Sequence, residues 1–269
     1  MRRPVRLGAV DYLNVRPLVH GLDADPAFDL RFDPPSECAR LLHAGEIDLG
    51  MIPTIAYQHR EGYCVVPGAS ISSEGPVASV AIYTRVPLAR ITRVAADTSS
   101  NTSVALLRVL SAERFRISPE LVPAAPDLAA MTASAEAALL IGDPALFADH
   151  RALGLEKIDL GEEWTAMTGL PFVWAFWAGR EGAVDADGVA RLQQARREGQ
   201  RQSDALAEAY AAGYARRTGT AADPELAKRY LRDNIKYDLG EREVAAVERF
   251  HASALKIGVV TRTEPLRFF

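Results

Sequence analysis

At 269 residues the chain is long for one compact core and short for two independent domains, so two lobes sharing one globule fit best. Apolar residues at 48% and charged residues at 25% exclude a disordered or fibrous chain. A net charge of −4 argues against a general nucleic-acid binder, whose affinity would come from clustered Lys and Arg.

The opening MRRPVRLGAVDYLN is basic, but Asp11 and Asn14 interrupt its apolar part before a secretory core can form, so no export signal is expected. No apolar run is long enough to span a bilayer. VRLGAV reads as a first strand, with a helix from about Pro17. Phe28–Phe32 reads as a second strand, and PPSECARLLHAG as a helix with Ser36 at its N-cap and Gly45 just past its end. EIDLGMIP follows as a third strand, then GASISSEG as a hydroxyl-rich turn, then VASVAIYT as another strand. Past Pro87 the series restarts with strand RVAAD, helix SVALLRVL and strand AEAALLIG. FVWAFWA, residues 172–178, is one more strand; Asp185 to Arg217 and Asp223 to Ile257 then hold at least three helices, with Asp223-Pro224 opening one and Gly258 ending the last. Arg191, Arg196, Arg197 and Arg201 read as a solvated helix face.

This alternation predicts an α/β protein with mainly parallel sheets. Lobe 1 is expected to take residues 1–84, lobe 2 residues 85–176, and residues 177–269 to return to lobe 1 with the C-terminal helices. Small ligands favour the cleft that such crossings leave.

The stretch ADTSSNTSVALLRVL, Ala96 to Leu110, crowds hydroxyls where a strand feeds a helix. A helix N-terminus there presents free N–H groups and a partial positive charge, and Ser99, Thr102 and Ser103 add neutral donors suited to a carboxylate. A capped helix after a polar loop explains one or two of these residues. Asn14, after the first strand, falls on the same cleft edge with a donor and an acceptor, or serves as a turn residue. Asp143 ends AALLIGD; it is a proton acceptor or substrate ligand on the cleft side, or, slightly preferred, the N-cap of a helix from Pro144. Thr168-Gly169 could bring backbone close to a ligand, Ser70 and Ser72 lie in a turn, and Trp174 and Trp177 read as core.

Cys38 and Cys64 are read as two buried thiols, and five scattered histidines give no pair at metal spacing. GxxxxGK[ST], GxGxxG, HExxH and GxSxG are all missing, which removes most support for P-loop phosphate transfer, dinucleotide binding, zinc hydrolysis and the hydrolase elbow.

Taken in order, YLNVRPL, LLHAGEIDLGMIPTIAY, DTSSNTSVALLRVL, LIGDPAL and DLGEEWTAMTGLPFVWAFW resemble the chorismate dehydratase family of the futalosine route to menaquinone, over about residues 5–260. The resemblance implies a type II periplasmic-binding-protein-like fold of two α/β lobes with a cleft between them, in a cytoplasmic enzyme. It implies removal of water from chorismate to give 3-[(1-carboxyvinyl)oxy]benzoate, without metal or organic cofactor. Chorismate is then the small-molecule partner, with no nucleic acid and no membrane, and a homodimer is left open. The family's YLN-x-x-PL asparagine falls on Asn14, which would contact the reacting ring region. The helix mouth would hold one carboxylate, and Ser70 and Ser72 or nearby backbone the other. No histidine lies in the matching motifs, so the enolpyruvyl carboxylate of the substrate itself is the expected base, with Asp143 as the protein-side rival. Two other readings share the fold. One is a 1,4-dihydroxy-6-naphthoate synthase, whose family looks to carry a histidine base where this chain has Ile141-Gly142-Asp143; the other is a non-catalytic solute-binding protein for a small carboxylate.

Overall fold

A computed structural model describes residues 3–269. The chain first lays down β1 (Val5–Ala9), β2 (Phe28–Phe32), β3 (Leu49–Pro53) and β4 (Tyr63–Ser73), with α1 (Pro35–Ala44) between β2 and β3. It then crosses to build β5 (Val80–Thr84), β6 (Arg93–Asp97), β7 (Glu120–Ala124), β8 (Ala137–Ile141) and β9 (Glu156–Asp159), interleaved with α2 (Asn101–Leu110), α3 (Leu128–Ser134) and α4 (Gly142–Leu146). After α5 (Leu160–Thr168) it returns as β10 (Phe172–Arg180) and finishes with α6 (Ala186–Arg201), α7 (Ser203–Thr218), α8 (Pro224–Arg229) and α9 (Glu241–Lys256).

The sheets are ordered β2-β1-β3-β10-β4 and β7-β6-β8-β5-β9. Each has a parallel trio, β2-β1-β3 or β7-β6-β8, completed by strands of opposite direction, β10 in the first and β5 in the second. The sheets are therefore mixed but mainly parallel in direction, four strands of each running one way and β10 or β5 running against them. β5 joins the second sheet and β10 the first, so the chain changes lobes between Ser73 and Val80 and again between Asp159 and Phe172, ahead of the expected crossings. In both trios the first strand lies in the middle, a switch in strand order that opens a crevice at the carboxyl ends.

Local sequence accounts for most boundaries and for the departures. A short 3₁₀ turn, Leu13–Val19, stands where a helix from Pro17 was expected; Pro17 lies inside it and has no N–H to extend it. Gly199 of α6 seats this turn, because a Cβ there would lie 2.1 Å from the Pro17 carbonyl oxygen. Pro34, not Ser36, occupies the N-cap of α1, and Gly45 ends that helix in the left-handed conformation as expected. Asp223 caps α8 through Glu225 N–H with Pro224 just inside. Of the arginine face, Arg191 pairs with Asp25 and Asp187, and Arg196 with Asp238.

The lobes share apolar packing as well as chain crossings. Trp164 of α5, Phe172 of β10 and Phe250 of α9 meet edge to face, with ring centroids 4.9–6.0 Å apart. Cys38 and Cys64 are both buried and unpaired.

Candidate active site

Four strand ends converge between the lobes. β1 leads into Tyr12 and Asn14, β3 into Pro53 and Ile55, β6 into Ser99–Ser103, and β8 into Gly142 and Asp143. They line a partly open hollow with a cavity volume of about 60 Å³. Val10, Val15, Met51, Ile71, Val80, Ile141 and Trp174 give it apolar walls, and Tyr12, Asn14, Ser79, Ser100 and Ser103 supply polar groups. No charged side chain and no histidine is among its lining residues.

The hydroxyl block divides its work. Ser100 caps α2, its Oγ accepting from Ser103 N–H (3.4 Å), so the helix starts at Asn101, two residues ahead of the expected Ser103. Ser100 and Ser103 face the hollow with their hydroxyls 3.2 Å apart, and the first-turn N–H groups of Asn101 and Thr102 lie beyond the reach of any helix carbonyl. Thr102 is fully buried and turns away from the hollow; its Oγ1 accepts from Ile55 N–H of the other lobe (3.1 Å). Ser99 also serves the seam, its carbonyl accepting from Ser36 N–H at the start of α1 (2.9 Å), while its buried hydroxyl lies beside that of Tyr12. Ser100 caps the helix and with Ser103 lines the hollow, while the Thr102 hydroxyl and the Ser99 carbonyl tie the two lobes.

Asn14 donates from Nδ2 to Tyr230 Oη (3.0 Å), and its backbone carbonyl accepts from Tyr237 Oη (2.9 Å). Its Oδ1 is buried without a partner, beside the hollow that the residue lines. Tyr230 Oη also lies 2.7 Å from Ser79 Oγ.

Asp143 is neither a cap for its own helix nor a lining residue. It is buried, and α4 begins at Gly142 with no side-chain cap. Its Oδ1 accepts from Leu13 N–H across the lobes (3.1 Å) and its Oδ2 from Tyr210 Oη of α7 (2.5 Å), so it caps the Leu13–Val19 turn instead. Burial raises its pKa to about 6, against the pull of those two hydrogen bonds. The neighbouring Gly142 lines the hollow at φ +63°, where a Cβ would lie 2.7 Å from the Tyr12 ring.

Two further expectations move. Ser70 and Ser72 lie on β4, not in a turn; their hydroxyls donate to the carbonyls of Asp238 (2.6 Å) and Lys236 (3.3 Å). Strand alternation points them away from the hollow, which Ile71 between them lines. Thr168 closes α5 onto the Trp164 carbonyl (2.9 Å), and Gly169 is the left-handed cap of that helix at φ +69°; neither lines the hollow. Trp174 belongs to the core as expected and in addition forms a wall of the hollow, its Nε1 donating to Ser73 Oγ (3.1 Å). Tyr12 and Ser79 were not singled out from sequence. Tyr12 opens the YLNVRPL motif, but Ser79 is a lone serine between apolar residues and carried no signal.

Among the described residues no cluster of His, Cys, Asp and Glu could hold a metal ion. His251 is buried between Gln58 and the Thr54 carbonyl, away from the hollow, and burial lowers its pKa to about 4.

Residues 5–256 match the model of the menaquinone biosynthesis family. The chorismate dehydratase of Thermus thermophilus is 34% identical over 265 residues, covering 92% of this chain and 94% of that one. Among solved structures, a protein of Archaeoglobus fulgidus superposes with a TM-score of 0.77 at 18% identity, over 96% of this chain and 99% of that one. The periplasmic aliphatic sulphonate-binding protein of Escherichia coli gives 0.68 at 17% identity, over 100% and 94%. These likenesses establish the two-lobed periplasmic-binding-protein-like fold. By the span of the family match and its likeness to a curated relative, the chain belongs to the menaquinone biosynthesis family.

Proposed function

We propose that the protein is a chorismate dehydratase, a cytoplasmic carbon–oxygen lyase that converts chorismate to 3-[(1-carboxyvinyl)oxy]benzoate and water. The observation that carries the reading is the unpartnered Asn14 Oδ1, held against a hollow that also receives the mouth of α2. A lone buried acceptor calls for a donor, and a substrate hydroxyl is one. The N–H groups of Asn101 and Thr102 with the Ser100 hydroxyl, which accepts from Ser103 and keeps its own proton free, suit a carboxylate without a fixed countercharge. The chemistry agrees with the likeness to the Thermus dehydratase.

In the reaction the ring C–H beside the enolpyruvyl ether loses its proton, that electron pair becomes a ring double bond, and the neighbouring hydroxyl leaves with the proton as water. The new ring is aromatic, so the driving force is large and the protein's main task is orientation. The enolpyruvyl carboxylate of the substrate is the proposed base, with Asn14 Oδ1 holding the ring hydroxyl beside it. Two features weigh against Asp143 in that role: it does not line the hollow, and both its oxygens already accept hydrogen bonds. The absence of a histidine from the lining weighs against the naphthoate synthase reading.

Incubation with chorismate alone, with no added metal or nucleotide, should yield the substituted benzoate by mass spectrometry and ultraviolet absorbance. Stoichiometric binding of unchanged chorismate would instead make the protein a receptor.

A further inference from the structure

Tyr230 has a place in the site that its burial conceals. It is 1% exposed and opens a π-helical turn, Tyr230–Asn234, a helix irregularity that recurs at functional sites. Its hydroxyl touches two polar atoms, Asn14 Nδ2 and Ser79 Oγ, and each of those residues lines the hollow. Counting protons gives this chain one direction. An amide nitrogen only donates, so the Tyr230 oxygen accepts from Asn14. The phenol proton then has one acceptor left, Ser79 Oγ. The Ser79 proton is thereby released towards the hollow, while Asn14 Oδ1 faces the same space as an acceptor.

We infer that Tyr230 is a positioning residue that sets the polarity of the chain Asn14–Tyr230–Ser79, presenting an acceptor at Asn14 and a donor at Ser79 to the substrate. The inference rests on the dehydratase reading and adds the residue that orients its two polar contacts. A substrate carrying a hydroxyl on one side and an anionic oxygen on the other matches this pair.

Ser79 is fixed from behind as firmly as Asn14. Its carbonyl accepts from Gly142 N–H at the end of β8 (2.8 Å). The preceding Ala78 sits at φ +65°, which a residue with a Cβ adopts only when its surroundings impose it. Asp159 imposes it here, accepting from Val77 N–H (3.0 Å) and Ala78 N–H (2.7 Å), while Lys157 donates to the Ala78 carbonyl. Strain of this kind is characteristic of sites where a side chain must be aimed.

The test is a double-mutant cycle on chorismate turnover with Tyr230→Phe and Ser79→Ala, each variant checked for a cooperative thermal transition. Tyr230→Phe keeps the ring and removes both hydrogen bonds, and should lower kcat about 100-fold while KM changes less than about 3-fold. In the Ser79→Ala background the same change should cost only about 10-fold, because Asn14 is then the one contact left for it to orient. Equal losses in both backgrounds would make Tyr230 a packing residue and overturn the inference. A wild type that leaves chorismate unchanged overturns the dehydratase reading and the inference together; an active wild type matched by an equally active Tyr230→Phe overturns the inference alone. Should Tyr230→Phe fail to fold, a neutron structure of the deuterated wild type decides: deuterium on Tyr230 Oη pointing at Ser79 supports the chain, and deuterium on Ser79 pointing at Tyr230 reverses it.

Discussion

Ser70–Ser73 and Ser99–Ser103 are two hydroxyl-rich stretches of similar length, and the fold gives them opposite duties. The first lies on β4, where the hydroxyls of Ser70 and Ser72 are used up by carbonyls of residues 238 and 236 and the intervening Ile71 reaches the hollow. The second lies at the mouth of α2, where Ser100 and Ser103 reach the hollow and Ser99 and Thr102 bind the lobes together. Hydroxyl count does not make an anion site. What decides is whether the backbone leaves its own N–H groups free at that point, as a helix start does and a paired strand does not.

The largest expected effect lies opposite the α2 mouth. Asn14→Leu should lower kcat/KM about 100-fold or more, since it removes a preorganised polar contact, and steady-state assays on chorismate would measure it. Retained turnover would leave the polar face of the hollow without a function.

Asp143 belongs to the seam and not to the hollow, so Asp143→Asn should keep turnover while changing how stability varies with pH. Its carboxyl is raised to about 6 in the folded state. The folded protein therefore binds that proton more tightly than the unfolded chain, and stability falls as pH rises from about 4 to 6, by on the order of 3 kcal/mol. His251 has the opposite sign: lowered to about 4, its contribution is present above about 6.5 and is lost as pH falls towards 4. The two offset each other over much of the same window. Denaturant unfolding of Asp143→Asn relative to wild type should remove the decline and expose the acid loss due to His251; His251→Gln should do the reverse.

Smaller effects separate the two serine stretches directly. Ser103→Ala should raise KM about 10-fold by removing the donor that turns the Ser100 hydroxyl towards the anion, whereas Ser70→Ala should leave kcat/KM within about 2-fold and cost about 1 kcal/mol of stability. Equal effects on KM would erase the distinction. Within the α2 block, Thr102→Val strands the buried Ile55 N–H and should lower the melting temperature by about 3 °C, with little change in KM.

The architecture was legible where strands carry their own pattern. VRLGA, FDLRF and RVAAD lie where their composition placed them, and Gly45 and Asp223-Pro224 mark the helix ends they signalled. Sheet membership was not legible. VAIYT is buried along its whole length, so nothing in it distinguishes one lobe from the other; its pairing with β8 and β9 decides. The site was half legible for a related reason. Asn14 and Ser103 stand at strand ends, which local sequence shows, and both line the hollow. Asp143, Thr102 and Ser70 found partners 130, 47 and 168 residues away in sequence, beyond the reach of any local pattern. Tyr12, Ser79 and Trp174 reached the hollow through the folding of distant segments against one another.

A crystal structure of the protein with 3-[(1-carboxyvinyl)oxy]benzoate bound tests the account most directly. The aromatic ring should occupy the space between the lobes, with a ligand oxygen within about 3 Å of Ser100 or the Asn101 and Thr102 amides and Asn14 against the ring substituents. A ligand seated outside that hollow, or one whose carboxylates meet only Arg or Lys side chains elsewhere on the surface, would contradict it.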